Sequence, residues 1–178
     1  MEILDLYTAD REKTGKTMVR GEETPEGYYR LVVHICIFND KGQLLIQQRQ
    51  SFKEGWPNKW DISVGGSAVA GDNSRMAAER ETREELGLTL DLSDVRPVFT
   101  VHWENGFDDY YVLTKNVDLE SLHLQEEEVQ AVRWAEKEEI LKLIEQDEFV
   151  PYDKSLIELL FHFRLRRSSH TINETIKK

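Results

Sequence analysis

Three glutamates near the middle of the chain have the type and spacing of a metal site. Glu81, Glu84 and Glu85 stand at i, i+3 and i+4, a spacing that places side chains on one side of an α-helix. Like charges held together in this way repel each other. Mg²⁺ is usually held by a few carboxylates together with water and substrate phosphate. The spacing therefore predicts a site for Mg²⁺, with Mn²⁺ as the alternative ion.

The residues on either side of these glutamates carry signals for the two ends of a helix. Asp72, Asn73 and Ser74 have side-chain oxygens that can accept hydrogen bonds from the first free N–H groups of a helix. Gly87 can adopt the left-handed conformation that closes a helix at its carboxyl end. Gly66 stands ahead of the helix, after a short predicted strand. The sequence thus predicts a turn and a helix bounded by two glycines.

The stretch of residues 66–88, GSAVAGDNSRMAAERETREELGL, resembles the Nudix box. That pattern is G-x5-E-x7-R-E-U-x-E-E-x-G-U, where U is a bulky aliphatic residue, and it is far more specific than a lone glycine-rich loop. The departures are Asp72 in place of glutamate and Thr82 in place of an aliphatic residue. A solvated helix with a Glu79–Arg83 ion pair is the alternative, but it explains neither glycine boundary. Seven of the nine fixed positions match, namely Gly66, Arg80, Glu81, Glu84, Glu85, Gly87 and Leu88.

The resemblance to Nudix proteins implies an α/β/α sandwich and hydrolysis of a diphosphate linked to another moiety, usually in a nucleoside diphosphate derivative. It implies that Glu81, Glu84 and Glu85 bind the metal, that one of them also accepts a proton from water, and that Arg80 orients a glutamate. Cleavage of a phosphoanhydride needs neutralised charge and an activated water, and bound Mg²⁺ supplies both. Asp72 is expected to cap or pair, and not to bind the metal.

Acidic groups outside the box are candidates to complete the site. Glu128, which precedes a predicted strand, is the first choice for a further metal ligand, with Glu127 close behind, although a solvated acidic run is the commoner role. Glu104 and His102 stand at the end of another predicted strand, and either could supply a general base. The sequence does not decide among these groups.

A narrower resemblance concerns residues 39–60. The segments NDKGQLL, QR and WP, together with Lys53 and Trp60, are similar to isopentenyl-diphosphate isomerases, which share the Nudix fold. Arg49 and Lys53 fall where those enzymes bind the diphosphate of their substrate, and two cations ahead of an acidic helix suit a phosphate clamp. We expect both, with Gly66, to bind substrate. Ordinary exposed basic side chains are the alternative, above all for Lys53.

The isomerase chemistry itself does not carry over. The position of the catalytic cysteine is Gly65, and Cys36 lies far away in a predicted core strand. Two metal-binding histidines of the isomerases correspond to Ser67 and Arg30, while this chain keeps Glu81 where the isomerases have an arginine. We therefore favour a hydrolase with an isomerase-like frame. A non-catalytic Nudix module that binds a nucleotide or sugar ranks second, and an isomerase third.

Hydrophobic patterns place strands around the acidic helix. Residues 28–38 form an apolar run that predicts a strand buried on both faces, and residues 43–49 continue it as a hairpin. His34 in this strand is expected to be a satisfied core residue. The pattern predicts an α+β fold with a mixed β-sheet in one domain of residues 1–178. Other predicted segments are strands at 3–7, 16–20, 60–64, 96–104, 109–117 and 128–134, helices at 136–146 and 153–166, N-terminal strands within 1–27, and a frayed tail at 168–178.

Composition and charge limit the remaining function classes. The 178 residues include 34 acidic and 23 basic ones, and the net charge of −11 argues against general nucleic-acid binding. A single cysteine excludes an internal disulfide and a multi-cysteine zinc site. The sequence shows no signal peptide and no apolar run that could cross a bilayer, so we expect a cytoplasmic protein without a membrane partner. The expected partner is a small-molecule diphosphate, and a homodimer is compatible with the sequence.

Overall fold

The computed structural model describes residues 2–165. The predicted frayed tail at 168–178 and the last residue of the predicted final helix lie outside this range. Within it, no helix combines the length and the apolar character needed to cross a membrane. The strands are β1 (Ile3–Tyr7), β2 (Lys13–Val19), β3 (Arg30–Phe38), β4 (Leu44–Arg49), β5 (Trp60–Asp61), β6 (Val64–Ser67), β7 (Phe99–Trp103), β8 (Gly106–Thr114) and β9 (Val129–Ala135), and the α-helices are α1 (Ser74–Leu86), α2 (Lys137–Glu145) and α3 (Lys154–Leu165).

Seven strands form one mixed sheet in the order β5-β4-β3-β8-β7, with β6 also paired to β3 and β9 to β4. β3 runs parallel to β8, from Arg30 opposite Gly106 to Phe38 opposite Thr114, and the other pairs of this sheet are antiparallel. Parallel neighbours need a crossover connection, because the chain must return to the same end of the sheet. Residues 39–105 form that connection, and α1 lies within it.

Two apolar cores lie on the two faces of the sheet, and alternate residues of β3 contribute to each, because successive strand side chains point to opposite faces. The core under α1 contains, among others, Val33, Ile35, Ile37, Ala77, Ala78 and Leu86. The core under α2 and α3 contains, among others, Cys36, Phe38, Leu44, Ile140, Ile157 and Leu160. A mixed sheet between these helices confirms the predicted α+β class and α/β/α sandwich.

The strands β1 and β2 form a separate two-stranded hairpin attached to the large sheet. The N–H of Tyr7 donates to the carbonyl of Tyr29 at 2.9 Å, and the N–H of Tyr29 donates back at 3.0 Å. The N–H of Ala70, just ahead of α1, donates to the carbonyl of Ile3 at 2.7 Å. The N-terminal segment thus contains two strands, and backbone hydrogen bonds fix their position relative to the large sheet and to the turn ahead of α1.

Two strand predictions need correction. The predicted hairpin of residues 28–38 with 43–49 is paired only at its base, Phe38 with Leu44. The reason is that β6 occupies the same edge of β3 further along, so that β4 pairs mainly with β9. The single strand predicted at residues 60–64 is two short strands, β5 and β6.

Candidate active site

The helix α1 carries the glutamates of the box on a well-defined frame. Asn73 caps it, since its side-chain oxygen accepts from the N–H of Met76 at 3.0 Å, and Gly87 ends it at a φ of 65°. Thr82 is fully buried on the packing face and donates its hydroxyl to the carbonyl of Ala78 at 2.7 Å. The departure from an aliphatic residue therefore leaves no hydroxyl unpaired.

Arg80 holds the acidic residues of the box in place. Its guanidinium donates to the carboxylates of Asp72 at 3.0 Å, Glu81 at 2.9 Å and Glu84 at 2.9 Å, and to the carbonyl of Ser67 at 2.9 Å. Burial opposes the positive charge, but the surrounding carboxylates, Glu81 above all, raise the pKa of Arg80. Arg80 therefore remains a cation that orients two glutamates. Asp72 pairs with it and does not cap the helix.

Glu81 lies directly against the backbone of β6 at Gly66. A Cβ at that position would overlap the carboxyl group of Glu81, so the absence of a side chain leaves room for the glutamate. Burial raises the pKa of Glu81 to about 7, with Arg80 opposing the rise and Glu84 adding to it. Gly66, predicted to bind substrate, thus supports a glutamate, while its neighbour Gly65 lines the cleft described below.

Glu85 is more deeply buried than Glu81, whereas Glu84 is exposed. The side-chain amide of Gln47 donates to Glu85 at 2.9 Å. Burial raises the pKa of Glu85 to about 8; the hydrogen bond from Gln47 opposes this rise, and the charges of Glu81 and Glu128 add to it. Two carboxylates buried near each other in this way favour either a proton or a cation beside them.

The glutamates open onto a polar cavity, here called the carboxylate cleft. Lys53 is paired in it with Glu128, while Arg49 lies 3.5 Å from Asp61 and donates to the carbonyl of Gly55 at 2.9 Å. The structure thus brings the predicted basic residues and Glu128 together with the box glutamates. The cleft is lined by Glu2, Arg20, Arg49, Lys53, Gly65, Glu81, Glu84, Glu85, Gln125 and Glu128.

The donor set of the carboxylate cleft suits a hard divalent cation, because its lining offers carboxylate oxygens and neither cysteine nor histidine. Among residues 2–165, no three acidic, histidine or cysteine side chains converge closely enough to ligate one ion as they stand. Arginine, lysine and glutamine side chains hold the carboxylate oxygens instead. The buried glutamates nevertheless favour a nearby cation. The residues therefore fit Mg²⁺ or Mn²⁺ if the ion replaces these side chains as the partner of the carboxylate oxygens.

The other acid–base candidates lie outside the carboxylate cleft. Glu127 is exposed, and it is Glu128 that reaches the cleft. His102 and Glu104, the alternative general bases, are exposed near the end of β7 and are not part of the cleft lining. Of the acidic candidates, Glu81, Glu84, Glu85 and Glu128 line the carboxylate cleft.

Sequence reasoning missed four residues of the site, which are Glu2, Arg20, Gln47 and Gln125. Arg20 and Glu2 come from the hairpin, where their side chains pair at 2.5 Å. No local motif marks this pair, because only the fold brings it to the box. Gln47 had a detectable signal, since it stands two residues before Arg49 and so shares one face of β4 with it.

Neither Cys36 nor His34 is part of the lining of the carboxylate cleft. Cys36 is fully buried in the core under α2 and α3, where burial raises the pKa of its thiol. His34 lies behind Gly65, and its ring stacks on Tyr110 with centroids 4.5 Å apart. The prediction of a satisfied core histidine is wrong, because among residues 2–165 neither ring nitrogen has a hydrogen-bond partner, although one lies 3.4 Å from the carboxylate of Asp108.

An α/β/α sandwich whose first helix carries this box defines the Nudix superfamily. The chain belongs to the Nudix hydrolase family, since the family model described as the NUDIX domain matches residues 28–160. The prediction of a Nudix-type pyrophosphohydrolase is confirmed at the level of the family. The hairpin of β1 and β2 lies ahead of the matched residues.

Individual proteins agree with this assignment. The chain is 57% identical to an uncharacterized Nudix hydrolase of Listeria innocua over 152 residues, and this alignment covers 85% of this chain and 90% of the relative. The crystal structure of DR0079 from Deinococcus radiodurans matches with a TM-score of 0.70 at 26% identity, over 93% of this chain and 100% of that chain. An isopentenyl-diphosphate Delta-isomerase of Escherichia coli is 26% identical over 151 residues, 81% of this chain and 82% of the relative. The predicted similarity to isomerases is therefore confirmed.

Proposed function

We propose that the protein hydrolyses a diphosphate linkage in a nucleoside diphosphate derivative or a similar small molecule, with Mg²⁺ or Mn²⁺ bound in the carboxylate cleft. The observation that carries this proposal is the burial of Glu81 and Glu85 in a cleft that is also lined by cations. Buried carboxylates favour a divalent cation, and neighbouring cations favour an anionic substrate. When a diphosphate binds together with a metal ion, the carboxylates of the cleft pair with the ion and the basic side chains pair with the phosphates.

In this proposal Glu81, Glu84 and Glu85 hold the metal, and Arg80 keeps them oriented through the hydrogen bonds described above. The bound ion supplies neutralisation of phosphate charge and a water activated near neutral pH. A glutamate of α1 accepts the proton of the attacking water. Glu128 adds a further ligand.

The basic residues act on the substrate. Arg49 and Lys53 bind oxygens of the diphosphate by charge-assisted hydrogen bonds, which are stronger than neutral ones. Lys53 is paired with Glu128 before substrate binds. A phosphate oxygen that accepts a hydrogen bond from Lys53 would release Glu128, which would then be available as a metal ligand. Substrate binding and metal binding would then favour each other.

A panel of small diphosphates tests the proposal. Nucleoside monophosphate should be released from nucleoside diphosphate derivatives only with Mg²⁺ or Mn²⁺, and Glu81→Gln should reduce turnover about 100-fold or more. Glu138→Gln, an exposed change on α2, is the matched control and should leave turnover unaltered. Failure on every compound, with unchanged ligand affinity in Glu84→Gln and Glu85→Gln, would favour the non-catalytic binding module. Conversion of isopentenyl to dimethylallyl diphosphate would favour the isomerase.

We also propose that the hairpin and the large sheet act as one domain, which is supported by the paired hydrogen bonds of Tyr7 and Tyr29. The net charge of −11 supports the proposal that nucleic acid is not a partner. Cytoplasmic location and a homodimer remain predictions, which cell fractionation and analytical ultracentrifugation would test.

A further inference from the structure

A second cavity adjoins the carboxylate cleft, and the residues that the two share are all cations. This outer cavity is lined by Arg20, Arg49, Phe52, Lys53, Glu54 and Gly55. The shared residues are Arg20, Arg49 and Lys53. Three positive side chains therefore meet at one junction in a protein with a net charge of −11. Each of these cations is paired with a carboxylate, namely Glu2, Asp61 and Glu128 respectively. An anion therefore binds at the junction by exchange with these partners.

On the basis of this junction we propose that the β1–β2 hairpin contributes a substrate-binding residue to the active site. This proposal rests on the proposed function. Arg20, together with Arg49 and Lys53, binds the terminal phosphate of a diphosphate monoester. This narrows the substrate from any diphosphate-linked compound to compounds with a free terminal phosphate, such as nucleoside diphosphates.

The hairpin holds Arg20 in a defined place. The N–H of Arg20 donates to the carbonyl of Glu2 at 3.0 Å, directly beyond the β1–β2 pair of Ile3 with Val19. The buried side chains of the hairpin anchor it further, and they are Leu4, Leu6, Tyr7 and Met18. Arg20 is therefore positioned by the fold, although it lies outside residues 28–160, the part of the chain that the NUDIX domain matches.

A phosphate can replace the present partner of Arg20 at small cost. The guanidinium pairs with Glu2 at 2.5 Å, and the two side chains are 47% and 43% exposed. Exposed ion pairs of this kind contribute little to stability. Burial opposes the charge of Arg20, but the hydrogen bond with Glu2 and the charges of Glu2, Glu81 and Glu128 raise its pKa. The side chain therefore remains a cation throughout the neutral range.

The composition of the outer cavity favours a terminal phosphate over a sugar. A terminal phosphate carries a charge of roughly −1.5 to −2 at neutral pH and has three strong acceptor oxygens. An esterified phosphate carries a single charge and offers fewer oxygens. A neutral sugar gains less than a phosphate anion from cationic side chains, and the lining of the outer cavity supplies three cations, one carboxylate, a phenyl ring and a glycine.

The reaction on such a substrate is balanced by one water molecule. The water oxygen forms a bond to phosphorus and the bridging P–O bond breaks, so that a nucleoside diphosphate gives a nucleoside monophosphate and inorganic phosphate. The proton of the water passes to a carboxylate of the cleft and then to solvent.

Substitution of Arg20 by glutamine tests the inference with two readouts. Calorimetry should show that methylenediphosphonate, which cannot be hydrolysed, binds Arg20→Gln about tenfold more weakly than the wild type, as expected for one lost charge-assisted bond. The KM of a nucleoside diphosphate should rise by a similar factor, with the KM of a nucleoside diphosphate sugar little changed. Lys154→Gln is the matched control, since it removes a cation from another exposed pair, with Glu145, and it should change neither quantity.

The outcomes separate this inference from the proposed function. A wild type that hydrolyses nucleoside diphosphate sugars but not nucleoside diphosphates overturns the inference and leaves the proposed function intact. Unchanged methylenediphosphonate affinity in Arg20→Gln also overturns it. If the wild type hydrolyses no compound of the panel, the proposed function fails, and weaker methylenediphosphonate binding by Arg20→Gln still supports the role of Arg20.

Discussion

Replacement of Glu85 by glutamine should stabilise the metal-free protein while removing its activity. The carboxylate of Glu85 is 5% exposed and accepts a hydrogen bond from Gln47 at 2.9 Å. Burial is the largest cause that raises the pKa of Glu85 from 4.5 to about 8, and the charges of Glu81 and Glu128 add to the rise. A neutral amide of the same shape removes the cost of ionisation and can still accept a hydrogen bond from Gln47.

The size of the effect follows from the pKa shift. A carboxyl group whose pKa is 4.5 in the unfolded chain and about 8 in the folded protein binds more protons when folded, so stability falls as pH rises between these values. At about 1.4 kcal/mol for each pKa unit, ionisation costs nothing well below pH 4.5, about 3 kcal/mol at pH 7 and about 5 kcal/mol at pH 9. The free energy of unfolding of Glu85→Gln should exceed that of the wild type by these amounts.

Urea unfolding in EDTA at about pH 4, 7 and 9 measures this difference. Glu84→Gln is the matched control on the same helix, because the Glu84 side chain is 46% exposed and Arg80 keeps its other carboxylate partners, Asp72 and Glu81. We expect the control to lie within about 1 kcal/mol of the wild type at each pH. If Glu85→Gln is no more stable than the wild type at the highest pH, Glu85 ionises without cost, and the reasoning that the cleft favours a cation is refuted.

Three further predictions concern the frame and the substrate side of the site. Gly66→Ala should lower turnover about 100-fold while the circular dichroism spectrum is retained, because a Cβ displaces the carboxylate of Glu81; undiminished turnover would contradict this packing. Lys53→Gln should raise the KM of diphosphate substrates about tenfold, through loss of a charge-assisted bond, and an unchanged KM would place substrate elsewhere. Asn73→Ala should lower the free energy of unfolding by about 1 kcal/mol, because the cap on Met76 is lost; thermal or urea unfolding would show no change if that cap were unimportant.

The acidic helix could be predicted closely from the sequence because its determinants are local. Side chains three and four residues apart meet on a helix whatever the rest of the fold does. Gly87 ends α1 as predicted, and the cap is Asn73, one of the three candidates. The grouping of Arg49, Lys53 and Glu128 with the box followed from resemblance alone, because no local rule brings residues this far apart together.

The parts that escaped prediction depend on long-range pairing. Glu2 and Arg20 reach the cleft only because the hairpin is bonded to Tyr29 and to the turn ahead of α1. The partial exposure of Arg30 and His34 reflects which part of the sheet the helices α2 and α3 cover, and an apolar run of sequence does not reveal this. The pairing of β4 with β9 follows likewise from the position taken by β6.

A titration with Mn²⁺, followed by electron paramagnetic resonance, tests most directly the central claim that the buried carboxylates of α1 hold a divalent cation. The wild type should bind Mn²⁺, and Glu81→Gln should weaken the affinity about tenfold or more, since a charged ligand becomes neutral. Glu138→Gln, whose side chain is 78% exposed on α2, should leave the affinity unchanged. Equal affinity of the wild type and Glu81→Gln would contradict the account.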